Sequence, residues 1–193
     1  GVFVSEGGLD LEDGGSQSVY GRPTDIGGSD AVVDSFDISS YNNIQYHTPS
    51  GLLPYGIAVK VGYVPNNSGQ GSAANATGAT PLGADTISEM MAYQVKAAPI
   101  DGLGLGVSLV EASKAATTAV RMGSTISAYA TYEIAGFALG ASLSQYQPHS
   151  GAAPAAASAD DYKQANGSIA YLVNDNLSVS FEREHSERFL HNL

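Results

Sequence analysis

The 193 residues carry 19 acidic against 8 basic side chains, a formal net charge of −11, and contain no Cys and no Trp. That balance repels a polyanion such as nucleic acid rather than gathering it, and without Cys neither a disulfide framework nor a Cys-based metal site can form. No run of 18 apolar residues occurs, which removes a transmembrane helix and leaves a membrane barrel open, because alternating strands average to near-neutral hydropathy.

The opening GVFVSEGG has neither a basic start nor a small-residue cleavage site, so any export signal is expected outside this sequence. Val2 to Ser5 reads as the end of a strand, Gly7-Gly8 as a tight turn, and Leu9 to Asp13 as the start of the next strand. Residues 14–40 form a long, Gly-rich, acidic loop holding Asp25, Asp30, Asp34 and Asp37, with Arg22 its single basic residue. A loop of that length inside a compact domain is functional or disordered. Tyr41 to His47 alternates again, with Ile44 and Tyr46 opposite Asn43, Gln45 and His47. After the turn TPSGLLP, Tyr55 to Val64 places Tyr55, Ile57, Val59, Val61 and Tyr63 against Gly56, Ala58, Lys60 and Gly62. At about 3.3 Å per residue and a tilt of about 40°, the two tyrosines stand roughly 20 Å apart along a barrel axis, close to the height of a lipid-facing apolar band.

A second long loop runs from Pro65 to Asp85. The strand Thr86 to Ala97 then sets Met91, Tyr93 and Val95 against Ala92, Gln94 and Lys96, and Leu103 to Glu111 follows the turn Pro99 to Gly102. Beyond a third loop, Ala112 to Gly123, comes the clearest hairpin. Ile126, Ala128, Ala130, Tyr132 and Ile134 alternate with Thr125, Ser127, Thr131 and Glu133; the chain reverses at Ala135-Gly136; and Phe137, Leu139, Ala141 and Leu143 alternate with Ala138, Gly140, Ser142 and Ser144. A period of two is the mark of a strand, and arms of about ten residues are long enough to cross a bilayer at a tilt. A fourth loop, Pro148 to Asp161, precedes the last pair, Tyr162 to Val173 and Leu177 to about Glu187.

Five short junctions, at Gly7, Ser50, Pro99, Ala135 and Asn174, thus alternate with four long ones, opening at Gly14, Pro65, Ala112 and Pro148. Short turns at one end and long loops at the other predict an all-β, antiparallel up-and-down transmembrane β-barrel of about ten strands, one domain over residues 1–193. Three stretches resemble the general porins of Gram-negative outer membranes: the opening VFVSEGGLDLEDG, the return strand NNIQYHTPSGLLPYGIAV, and the hairpins ISAYATYEIAGFALGASLSQY and GSIAYLVNDNLSVSFERE. The resemblance implies an outer-membrane homotrimer whose water-filled channels pass small hydrophilic solutes and ions by diffusion, with no cofactor and no turnover. It also implies that residues 14–40 are the inward loop that narrows the pore. In that family both termini lie at the short-turn end and the chain closes on an aromatic residue. Here the alternation sends both ends to the long-loop end and the chain closes on His-Asn-Leu, so the expectation is an internal piece, about ten of sixteen strands.

In such a barrel lipid takes the apolar face and water the other. Lumen positions would then include Gln45, His47, Lys60, Gln94, Lys96 and Glu133. The specific hypothesis sets Asp25, Asp30, Asp34 and Asp37 across the constriction from Lys60 and Lys96, with the excess of acid favouring cations; the plain alternative is that all six are solvated charges. Catalysis has no anchor, since there is no G-x-S-x-G elbow, and GLGLG at residues 102–106 lacks the last spaced Gly of a phosphate loop. His185 and His191 among Glu182, Glu184 and Glu187 fit no standard metal spacing and read as a solvated loop end; the acidic loops are a weaker candidate for divalent cations. The alternative to a channel is a soluble or surface-attached β-rich structural protein or adhesin, whose apolar faces would pack against each other.

Overall fold

In a computed structural model the described residues are 1–4, 43–65, 87–114, 119–121, 123–147, 150–151, 161–174 and 176–189. They form eleven strands: β1 (Val2–Val4), β2 (Ile44–His47), β3 (Ala58–Val64), β4 (Ile87–Ala97), β5 (Leu103–Lys114), β6 (Ala119–Arg121), β7 (Gly123–Ile134), β8 (Phe137–Gln147), β9 (Ser150–Gly151), β10 (Asp161–Asn174) and β11 (Leu177–Phe189). Nine make one antiparallel sheet in the order β1-β2-β3-β4-β5-β7-β8-β10-β11, and β6 pairs with β9 in a separate two-stranded sheet. The chain is therefore all-β, and β1 and β11 are the two edges of a sheet that is not closed among the described residues.

Each hairpin sits where its turn chemistry puts it. At β7–β8 the register closes with Ile134 opposite Phe137, leaving Ala135 (φ 49°) and Gly136 (φ 81°) as a two-residue loop. Positive φ at both central residues is what matches the right-handed twist of the flanking strands. At β4–β5, Gly102 (φ 79°) lies against the backbone of Glu133, whose carbonyl oxygen occupies the space a Cβ would need. Its own carbonyl accepts from the Glu133 N–H at 2.9 Å, which ties the turn to the next strand.

The structure changes three sequence expectations. Val2–Val4 pairs directly with Ile44–His47, Val2 opposite Tyr46 and Val4 opposite Ile44, so these two strands are neighbours in the sheet; the expected Gly7 turn and the expected strand Leu9 to Asp13 lie outside the described residues. Between the described strands of the main sheet, the connections at one end then number four, at residues 48–57, 98–102, 135–136 and 175–176, and alternate with four at the other end, at residues 5–43, 65–86, 115–122 and 148–160. Secondly, Gly1 lies at the short-turn end, its amino group donating to the His47 carbonyl at 2.6 Å, while β11 finishes at the opposite end. The expectation that both ends reach the long-loop end fails because it ran Val2–Ser5 toward the short-turn end, in the direction of Ile44–His47, whereas the two strands pair antiparallel. Thirdly, β3 begins only at Ala58. Tyr55 has φ 58° inside a single 3-10 turn, Pro54–Gly56, so it stands in the connection and not on the strand's stripe.

The two faces of the sheet are sorted with large apolar side chains outside and polar ones inside. Ile44, Tyr46, Tyr93, Val95, Leu105, Val107, Ile126, Leu139, Leu143, Ile169, Tyr171, Val179 and Phe181 are exposed, Leu143 to 64%. On the other face Asn43, Gln45, Gln94, Ser108, Thr125, Ser127, Ser142, Ser144, Gln164, Asn166 and Ser168 are buried. Ile126 and Leu139 are thus solvent-facing and Val59 half-buried, not crowded into a dry core. Buried polar and exposed large apolar side chains are the informative departures from ordinary burial.

Candidate functional site: the inner face of the sheet

The polar face is built by register. His47, Lys60, Gln94, Ser108, Ser127, Ser144, Gln164 and Ser186 are successive cross-strand partners from β2 to β11, and every one of the eight is polar. Directly opposite residues put their Cβ atoms about 5 Å apart, close enough for the Ser144 hydroxyl to donate to the Ser127 hydroxyl at 3.1 Å. Along β2 the same-face series Asn43, Gln45, His47 is linked as well. The Gln45 amide donates to Asn43 Oδ1 at 3.2 Å, and His47 Nε2 donates to Gln45 Oε1 at 2.8 Å. Small residues on this face make room for large ones. A Cβ on Gly106 would overlap the Tyr129 ring, and one on Gly104 would lie 2.6 Å from the Thr131 hydroxyl, so the GLGLG run is crowded wall and not a phosphate loop.

Toward the long-loop end the inner face is closed to solvent and partly apolar: Val64, Met90, Ala92, Val110, Tyr146 and Tyr162 are buried there, with the Tyr146 and Tyr162 rings 6.0 Å apart. Toward the short-turn end it opens, and Lys60, Lys96, Tyr129, Thr131 and Glu133 are half-buried or exposed. Apart from Glu133 at the short-turn rim, formal charge on this face is confined to the flanks among the described residues. Lys60 and Lys96 sit on adjacent strands, Lys60 opposite Gln94 and Lys96 opposite Ala58; Glu182 and Glu184 sit on the inner face of β11, opposite Ser168 and Asn166.

Of the residues singled out in the sequence, Lys60, Lys96, Gln45, His47 and Gln94 come together on this one face. Gln45 and Gln94, each 1% exposed, are enclosed by protein. Glu133 shares the phase of the inner face but stands exposed beside the short turn. Asp25, Asp30, Asp34, Asp37 and the loop at residues 14–40 lie outside the described residues. Reading the charged run 182–187 as one solvated end misses Glu184 and Ser186, which the strand's alternation turns inward while Arg183, His185 and Glu187 turn outward. The run has no apolar residue to betray its phase, and only continuity with Val179 and Phe181 could have found it.

The outer face carries a boundary. Moving toward the long-loop end, the last large apolar residue is Tyr63 on β3, Met91 on β4, Leu109 on β5, Ile126 on β7, Leu143 on β8, Ile169 on β10, where Gly167 and Ala165 follow it, and Phe181 on β11. Beyond it on the same face lie Glu111, Ser124, Gln145, Lys163 and, on β11, Arg183, His185 and Glu187. Val61 shares its cross-strand row with Glu187, through Tyr93, Leu109, Ile126, Gln145 and Lys163; Tyr63 stands two residues beyond that row and Phe181 six residues short of it. The boundary therefore drops eight residues along the strand while crossing six strand-to-strand steps. Aromatic rings stand near it and near the opposite rim: Tyr63 and Tyr93 on one side, Tyr132, Phe137 and Tyr171 on the other, the last two 4.4 Å apart. No protein-family model, no curated protein and no solved structure matches the chain.

Proposed function

We propose that the chain forms wall of an outer-membrane β-barrel, a porin-like channel through which small hydrophilic solutes and ions diffuse passively, with cations favoured. The observation that carries this reading is the sloping apolar boundary. Eight residues at about 3.3 Å against six steps of about 4.8 Å is a slope of about 40°, the tilt that barrel strands take to the membrane normal. A plane cut across a tilted sheet gives such a staircase, whereas a sandwich core would follow the hydrogen-bonded rows or the strand ends. The inverted burial supports the same reading. A contiguous apolar face left in water is unfavourable at about 25 cal/mol per Å², and hydrocarbon removes that cost. Glu and Asp outnumber Lys and Arg in the chain, which favours cation entry. A homotrimer belongs to the same proposal.

A second reading has its own observation. Gln45 and Gln94 at 1% exposure, with Val64 and Met90 buried beside them, describe an interior filled by side chains on its long-loop half, as in small barrels that anchor without conducting. Planar-bilayer recording of the detergent-refolded chain separates the two. Stepwise ohmic conductance is expected, with a reversal potential of cationic sign in a salt gradient. Lys60→Gln and Lys96→Gln should each move that potential further toward the cation limit, because removing wall positive charge removes repulsion. A silent membrane with correctly inserted protein would leave the filled barrel; protein that stays soluble without detergent and ignores vesicles would sink both.

A further inference from the structure

The outward half of the charged run on β11 is self-contained, with His185 Nε2 3.1 Å from Glu187 Oε1. Its inward half meets β10. Glu182 is opposite Ser168, Glu184 is opposite Asn166, and Asn166 in turn is opposite Ser142 on β8. Asn166 is 6% exposed. Its Nδ2 donates to Glu182 Oε1, while its Oδ1 is buried with no hydrogen-bond partner. A buried amide oxygen is costly to leave unpaired, and each such group in a native fold calls for an explanation.

We propose that Asn166, Glu182 and Glu184, with Ser142 and Ser168 beside them, form a calcium site on the inner face of β8, β10 and β11. The chemistry is that of a hard cation. Two carboxylates supply charge, and an amide oxygen with hydroxyls supplies neutral donors, the ligand set calcium takes at about 2.4 Å. Cross-strand Cβ atoms about 5 Å apart leave a gap of about two such bond lengths. Among the described residues no three His, Asp or Glu side chains converge, so the donor set does not suit zinc. The unpaired Asn166 oxygen is then the ligand that neither the strand pairing nor Glu182 can satisfy. The site deepens the channel reading and rests on it in one respect, that ions from solution reach the inner face.

The test is isothermal titration of the chelator-stripped, detergent-refolded chain with calcium chloride, in parallel with bilayer recording of the same preparations. Wild type should show one saturable site per chain. Asn166→Ala and Glu184→Gln should each weaken it by at least about tenfold, Asn166→Asp should tighten it by adding ligand charge, and Glu111→Gln on the outer face should leave it unchanged. Asn166→Asp keeps the test decisive if the alanine variant fails to refold. Diffuse uptake that is identical in all four variants, or no saturable uptake, would overturn the site. A calcium pattern as expected in protein that conducts nothing would sink the channel and leave the site standing; conduction without the pattern would do the reverse.

Discussion

Placing an arginine at Ala130 tests the membrane reading most directly. Ala130 is exposed on the outer face of β7, four residues from Ile126 and four from Ile134, the two ends of that strand's apolar run. Four residues at about 3.3 Å, tilted by about 40°, amount to about 10 Å of depth from either rim, so Ala130 stands at the middle of the band. In hydrocarbon Ala130→Arg should cost about 2–4 kcal/mol, and Ser124→Arg, beyond the boundary on the same strand face, about 0–1 kcal/mol. A sharper comparison uses one hydrogen-bonded row. Ala128 and Ala165 flank Leu143, two strands apart and on the same face. With rows inclined by the tilt, Ala128 lies about 6 Å nearer the midplane than Ala165. Ala128→Arg should therefore cost about 1–2 kcal/mol more than Ala165→Arg. Urea titration of folding into lipid vesicles, followed by far-ultraviolet circular dichroism since the chain has no Trp, reads all four. In water, exposed substitutions of this kind stay within about 0.5 kcal/mol. Four small and equal costs would therefore refute the tilt and the membrane with it.

Two further substitutions probe the wall itself. Gly106→Ala forces a methyl into the Tyr129 ring and should cost about 1–3 kcal/mol by overpacking; in a double-mutant cycle with Tyr129→Ala most of that cost should vanish, and full additivity in the same urea titration would show that the two do not touch. Ala135→Gly removes a Cβ held at φ 49° and should stabilise the β7–β8 hairpin by about 0.5–1 kcal/mol, the left-handed penalty for Ala less the chain entropy of Gly; a lowered urea midpoint would contradict the turn geometry.

The strands β4, β5, β7 and β8 are legible in the sequence because larger apolar residues alternate there with small or polar ones, so Ile126 and Ser127 declare their faces by position alone; β6 falls inside the expected loop Ala112 to Gly123 and is not legible. The turn at Ala135-Gly136 is legible for the same reason, since the phase restarts across it. Tyr55 is not. Its side chain extends the β3 stripe in pattern, but the backbone between Pro54 and Gly56 turns on itself, and alternation carries no information about φ. The partner of β1 is hidden too, because three residues such as Val2–Val4 specify register but not which later strand receives it. Glu184 and Asn166 are missed for a physical reason that also hides the burial of Gln94, whose face alone the alternation shows. Their significance lies in what covers or faces them across strands, a tertiary property that neither residue type nor spacing expresses.

The edges of the sheet place a further demand on the fold. Nine strands alternating in direction leave β1 and β11 running the same way, so a direct junction between them would be parallel, three residues against thirteen. In hydrocarbon that mismatch is untenable, because each unpaired backbone amide or carbonyl costs several kcal/mol and no water is there to satisfy it. The membrane reading therefore requires a partner strand along the free side of β11, at least over Leu177–Phe181, where the outer face is apolar. In vesicles the amides of that stretch that point away from β10 should exchange with deuterium as slowly as those that point toward it. Exchange at the rate of an open edge, with the protein inserted, would mean that β11 faces water, and the sheet would then lie on the membrane or beside it instead of closing across it.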